Sequence, residues 1–278
     1  MDRCFCNFFA VALVLVPIAC SSPIGTEQYF TFDQIKGEAL EQSEGERAAI
    51  LVVPHFFPLA EIPLRRAYKK FSSRDIRRVI LISPDHFGKS GECLTTAAQF
   101  STHFGNTFPD RKGIEVLIQK GVCKEGEQSF RREHGILIHL PFIKYYFPRA
   151  ELIPLIVPSA IRSCSGERIL AALQEFAGGE TLLIISTDFS HYRSFEQAAA
   201  QDRRTARIIC SLDFGQFHLV DVDCRCGMYI AMRWAQYLNL GTGRIISAVN
   251  SAEVLNNPHL QSTTGMIAIA FSASKENN

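Results

Sequence analysis

Continuous apolar runs of strand length recur along the chain, and the clearest of them stop at a small cluster of proline, serine, aspartate and histidine. Residues 49–53 read AILVV and stop at Pro54-His55. Residues 79–82 read VILI and stop at Ser83-Pro84-Asp85-His86. Residues 152–157 form a third run, broken by Pro154, and residues 182–185 a fourth, stopped by Ser186-Thr187-Asp188. Residues 245–249 and 266–271 read as closing strands. Between these runs, helical spacing predicts helices over 59–71, 114–120, 166–176, 196–212 and 227–238. Runs without polar alternation mark strands covered on both faces, and strand–helix–strand order marks a parallel sheet. The expected fold is therefore α/β, a three-layer sandwich with a mostly parallel central sheet, over residues 46–274.

Length and composition agree with that picture. The chain has 278 residues, 47% hydrophobic and 21% charged, which suits one large α/β domain. A net charge of +1 gives no field that calls for a nucleic-acid partner. Residues 7–19 form an apolar stretch too short to span a membrane as a mature helix. Small residues then precede Cys20, in the manner of a bacterial lipoprotein signal. The expectation is a signal peptide over 1–20, lipidation of Cys20, a polar tether over 21–45, and export to a membrane surface. The alternative is an uncleaved leader or a misassigned start upstream of a cytoplasmic protein. The nine cysteines include no CxxC pair and no zinc-finger spacing. Cys224-Arg225-Cys226 is too tight for an easy internal disulfide.

The candidate chemistry lies at the strand ends, where open α/β sheets bind ligands. His55, His86 and the Asp188–His191 pair should share one rim, with Glu133-His134 between them in sequence. One such histidine is unremarkable; three at equivalent strand ends point to a metal or acid/base cleft. Asp188 and His191 read as an acid/base pair. His139 reads as structural. No glycine-rich phosphate loop and no GxSxG elbow is present.

The strings VVPH, LISPDH, REHGILIHLPF, LIPLIV, ISTDFSHY and CRCG, with a late TTGM, resemble the MEMO family, whose bacterial members carry the name AmmeMemoRadiSam system protein B. The resemblance runs from about Ala48 to Phe271. It implies a fold like that of the LigB-type class III extradiol dioxygenases. It also implies a metal cleft of two histidines and a cysteine, which match His55, His86 and Cys226 here. Asp188, His191 and His134 match groups lining that cleft, as candidate catalytic residues. Iron is the first expectation for the metal, with copper or zinc as alternatives, because thiolate softens the site. The sequence departs from the family at Ser83, where glycine is usual, and at Gly135, where serine is usual. Leu137 replaces a glutamate, and Phe56, Phe57 and Phe87 make the rim more apolar.

Three functions follow as expectations. The first is a metal-binding protein in redox or metal handling or in an unidentified small-molecule reaction. The second is an active non-haem iron dioxygenase-type oxidoreductase. The third is a non-catalytic module binding a peptide or another partner. The resemblance also implies a radical-SAM partner, which requires a cytoplasmic chain, whereas the lipid anchor at Cys20 would place it on a membrane.

Overall fold

The structure, a computed structural model, describes residues 22–26, 35, 47–70, 72, 75–88, 91–158 and 165–273. The leader, Cys20 and most of the tether lie outside these residues. Among the described residues, no helix is long and apolar enough to cross a membrane.

Twelve strands follow in chain order: β1 (Ile24–Gly25), β2 (Arg47–Val53), β3 (Arg78–Pro84), β4 (Leu94–Thr95), β5 (Phe100–Thr102), β6 (Gly105–Pro109), β7 (Lys124–Glu125), β8 (Glu151–Val157), β9 (Thr181–Ser186), β10 (His191–Arg193), β11 (Arg244–Asn250) and β12 (Thr263–Ala273). The central run β6-β8-β3-β9-β2 is parallel throughout. β12 joins β2 antiparallel, and β11 and β10 each pair antiparallel with β12. The sheet is thus mostly parallel and mixed at its edges.

The helices are α1 (Glu61–Lys70), α2 (Arg111–Gln119), α3 (Glu127–Phe130), α4 (His134–Leu137), α5 (Leu140–Tyr146), α6 (Gly166–Leu173), α7 (Phe195–Cys210), α8 (Arg225–Tyr237) and α9 (Ser251–Val254). They form the outer layers. Strand side chains alternate between faces. Ile50, Val52, Ile80 and Ile82 accordingly pack with residues of α2, α6, α7 and α8. Leu51, Val53, Val79 and Leu81 pack with residues of α1, α4 and α5 on the opposite face. All eight of these strand residues are fully buried, which is why their sequence shows no polar alternation.

The expected break at Pro154 does not occur. β8 runs unbroken through it, paired with β3 along its whole length. On its other side β8 changes partner there. β6 pairs at Glu151 and Leu152, and β4 at Leu155 and Ile156. The missing proline N–H falls in that gap, so no ladder bond is lost. The Pro154 carbonyl is satisfied by the Thr95 hydroxyl at 2.9 Å.

The strand order places the carboxyl ends of β3, β9 and β2 side by side. Val53 and Ser186 lie in register, as do Ile82 and Ile185. Everything that follows these ends converges on one spot.

Candidate metal centre

His55 leaves the end of β2 and is buried. Its backbone N–H donates to Asp188 Oδ1 at 3.0 Å, and its Nδ1 meets the Ser186 hydroxyl at 2.7 Å. The ring is therefore clamped at one nitrogen, and Nε2 is the atom left facing the cleft. His86, at the end of β3, is clamped in the same manner. Glu133 holds its Nδ1 at 2.5 Å through Oε1 and accepts its backbone N–H at 3.1 Å through Oε2. The two Nε2 atoms then face each other at 3.1 Å.

The third group is Asp223, in the loop before α8. Its Oδ1 accepts from the Thr187 hydroxyl at 2.7 Å and from the Asp188 N–H at 3.1 Å. Its backbone N–H donates in return to the Asp188 carbonyl at 3.2 Å. With Oδ1 occupied, Oδ2 points at the histidines, 3.0 Å from His55 Nε2 and 3.7 Å from His86 Nε2. A point about 2 Å from all three atoms exists, which is the bond length first-row metals make to imidazole and carboxylate. Two histidines and one carboxylate on one face, each oriented by an outer hydrogen bond, fit a transition-metal ion.

Two more groups border this face. The ring of His134, at the start of α4, lies 3.9 Å from that of His86 and 5.2 Å from that of His55. Its nitrogen completes a compact set with His55 and His86, as Asp188 and Asp223 do with His55. Asp188 Oδ2 is 3.6 Å from His55 Nε2.

The charges follow from these contacts. Burial opposes charge on His86, but its bonds to Asp223 and Glu133 overcome that and lift its pKa to about 9. Burial likewise opposes charge on His55, and Asp188 and Asp223 overcome it, so its pKa is also raised. Burial would raise Asp223, yet His55, with hydrogen bonds from His55, His86 and Thr187, holds it well below the carboxylate range. Asp188 is raised, chiefly by burial. His134 is pushed down to about 4 by burial and by the two neighbouring histidines. The cleft thus sets one strongly ionised carboxylate, Asp223, against two histidines that would lose protons to solvent on binding a metal.

Of the residues expected from the sequence, His55, His86, His134 and Asp188 are brought together. Cys226 is placed differently. It stands in a disulfide, so its sulfur is not available as a thiolate ligand. The anion facing the histidines is Asp223 instead. The neighbouring Cys224 is free and buried, and its thiol is pushed up by burial and by Asp223. His191 lies in β10, with its ring against Tyr192 at 5.7 Å. Asp188 Oδ1 accepts the His55 N–H, and Asp188 meets His191 through a charge interaction. Glu133 and Ser186 lie inside the motifs of the strand ends, but their clamping roles are set only by the fold. Asp223 carries one signal in the sequence, an acid immediately before a helix start.

A Cβ at position 135 would lie 2.2 Å from Ser83 Oγ, so the backbone of α4 fits against β3 only as glycine. Phe57 and Phe87, close after His55 and His86 in the chain, are exposed, and the Arg132 guanidinium lies 4.0 Å over the Phe87 ring.

The family model described as "Memo-like protein" matches residues 29–253. A "MEMO1 family protein" of Nitrosopumilus maritimus is 27% identical over 215 residues, covering 74% of this chain and 77% of its own. A "MEMO1 family protein" of Caldivirga maquilingensis is 27% identical over 206 residues, covering 69% and 71% respectively.

Proposed function

The chain belongs to the Memo-like protein family, and on that premise we propose that it holds one transition-metal ion on His55, His86 and Asp223, for redox or metal handling or for a small-molecule reaction. The observation that carries this reading is the 3.1 Å approach of the two Nε2 atoms beside one carboxylate oxygen. Two like-facing imidazoles and a carboxylate favour iron(II), with zinc or copper as the alternatives. Such an ion supplies open coordination positions and Lewis acidity to a small molecule.

The chain's own groups do the rest. Ser186 and Glu133 fix the ring orientations through Nδ1, and Thr187 fixes the Asp223 carboxylate. His134, held down to about 4 by burial and its histidine neighbours, stays neutral at pH 7 beside the proposed ligands. Phe87, next to His86 in the chain, carries the Arg132 guanidinium over its ring, an apolar surface with one cation that would suit an apolar molecule bearing an acid.

Anaerobic metal analysis of the purified protein tests the reading. Wild type should carry close to one equivalent, and Asp223→Asn should lose it at equal expression and fold. Full metal retention in both Asp223→Asn and His55→Ala would sink the proposal.

A second reading, an active iron-dependent oxygenase, is favoured by the carboxylate at Asp223, because an oxidisable thiolate ligand is not needed. It requires oxygen uptake with iron(II) and a catechol-like substrate; silence across a broad phenolic panel would count against it. The proposed location is a membrane surface after export, through lipid on Cys20. The disulfide at Cys226 supports an oxidising compartment. Fractionation with a fatty-acid label tests this, and a soluble, unlabelled chain would overturn it.

A further inference from the structure

We propose that Cys93 and Cys123 are a redox-active pair that closes to a disulfide between β4 and β7 without disturbing the rest of the fold. The pair lies apart from the metal centre and from every motif singled out in the sequence.

Four observations carry this. β4 and β7 pair in parallel with Leu94 opposite Lys124, so the residues one step earlier, Cys93 and Cys123, are neighbours across the ladder. The Lys124 N–H donates to the Cys93 carbonyl at 2.9 Å, which fixes that register. Adjacent strands lie roughly 4.8 Å apart, inside the Cα separation of about 4.4–6.8 Å that a disulfide accepts. Both thiols are free, and Cys123 is near enough to raise the Cys93 thiol. Finally, both border one cavity of about 430 Å³, beside Gly91, Gly121 and Arg168, the side from which a small oxidant would approach. Ordinary core cysteines have neither a facing thiol nor an open wall.

The chemistry balances with a small-molecule disulfide as oxidant. One thiolate attacks a sulfur of that disulfide and expels a thiolate, leaving a mixed disulfide. The second cysteine thiolate attacks the protein-side sulfur, forms the Cys93–Cys123 bond and expels the other thiolate. Two protein thiols are oxidised, one external disulfide is reduced to two thiols, and the two protons pass to those thiols or to water. The Cys123 thiol and burial both push the Cys93 thiol well above its ordinary range, so closure should be slow at neutral pH and faster in alkali.

The test uses the full chain. Folded protein is incubated with oxidised glutathione, quenched with N-ethylmaleimide, digested without reduction and mapped by mass spectrometry. The expected result is a peptide carrying Cys93 linked to the peptide carrying Cys123, with loss of two titratable thiols, and a faster yield at pH 9 than at pH 7. In Cys93→Ser the link must vanish. Recovery of both residues as maleimide adducts, or as two separate glutathione adducts, would overturn the proposal. So would a linked fraction no greater in the folded chain than in the same chain oxidised in urea.

Discussion

His86 and His139 are one residue type under opposite electrostatics. His86 sits at a strand end with Glu133 on one nitrogen and Asp223 near the other, and it favours the charged form. His139 follows α4 and is fully buried. Its Nδ1 meets the Tyr68 hydroxyl at 3.0 Å, and its Nε2 has no partner. Burial, with His55 and His134, pushes it well below the ordinary histidine range. The same imidazole thus favours the charged form in one place and is a neutral wedge in the other. The difference lies in the carboxylates: buried acids face the first ring, and the second has only a phenol. A histidine's role here is written by its neighbours more than by its own position in a motif.

The sharpest break between the two is metal binding. His86→Ala should weaken metal affinity by more than about 100-fold, or about 2.7 kcal/mol, while His139→Gln leaves it within a few fold; competitive titration with a chelator measures both. Equal losses would erase the comparison. A smaller effect follows from the clamp. Glu133→Gln keeps the shape but removes the charge behind His86, and should cost about 10- to 100-fold in affinity. It should also lower the His86 pKa from about 9 in the metal-free protein, which NMR titration can follow.

The smallest expected effect concerns stability against pH. The folded state keeps His139 neutral, whereas the unfolded chain takes up that proton below a pH of about 6.5. Its contribution is therefore present above that pH and is lost as pH falls, at up to about 1.4 kcal/mol per unit until the folded pKa is reached. His139→Gln removes the group, so the variant's urea midpoint should fall less than the wild type's between pH 6.5 and 5. Parallel curves would show that His139 does not stay neutral in the fold.

Much of the frame was legible in the sequence because burial writes a strong pattern. The strands ending at Val53, Pro84 and Ser186 are apolar on both faces, and their ends carried histidine or aspartate. The α7 and α8 helices fell close to their predicted spans for the same reason. Two-residue strands such as β4 and β7 carry no period to detect. Pro154 misled because a proline's tolerance depends on which neighbouring strand lies beside it, and that is a fact of three dimensions. Within the site, the anion was the illegible part. Cys226 stood in a familiar string, whereas Asp223 is an ordinary loop acid until Thr187 and Asp188 turn its oxygen inward.

That loop also sets an order of assembly. The contacts of His55 with Ser186 and Asp188 close chain separations of 131 and 133 residues, and Asp223 comes later still. Until the last of these segments docks, an emerging chain offers only scattered imidazoles and no enclosed face. Loop closure over such spans is slow relative to local structure. If the proposed site takes a metal, uptake should therefore be a late event in biogenesis, and a nascent chain stalled before residue 223 should leave free metal ions largely untouched.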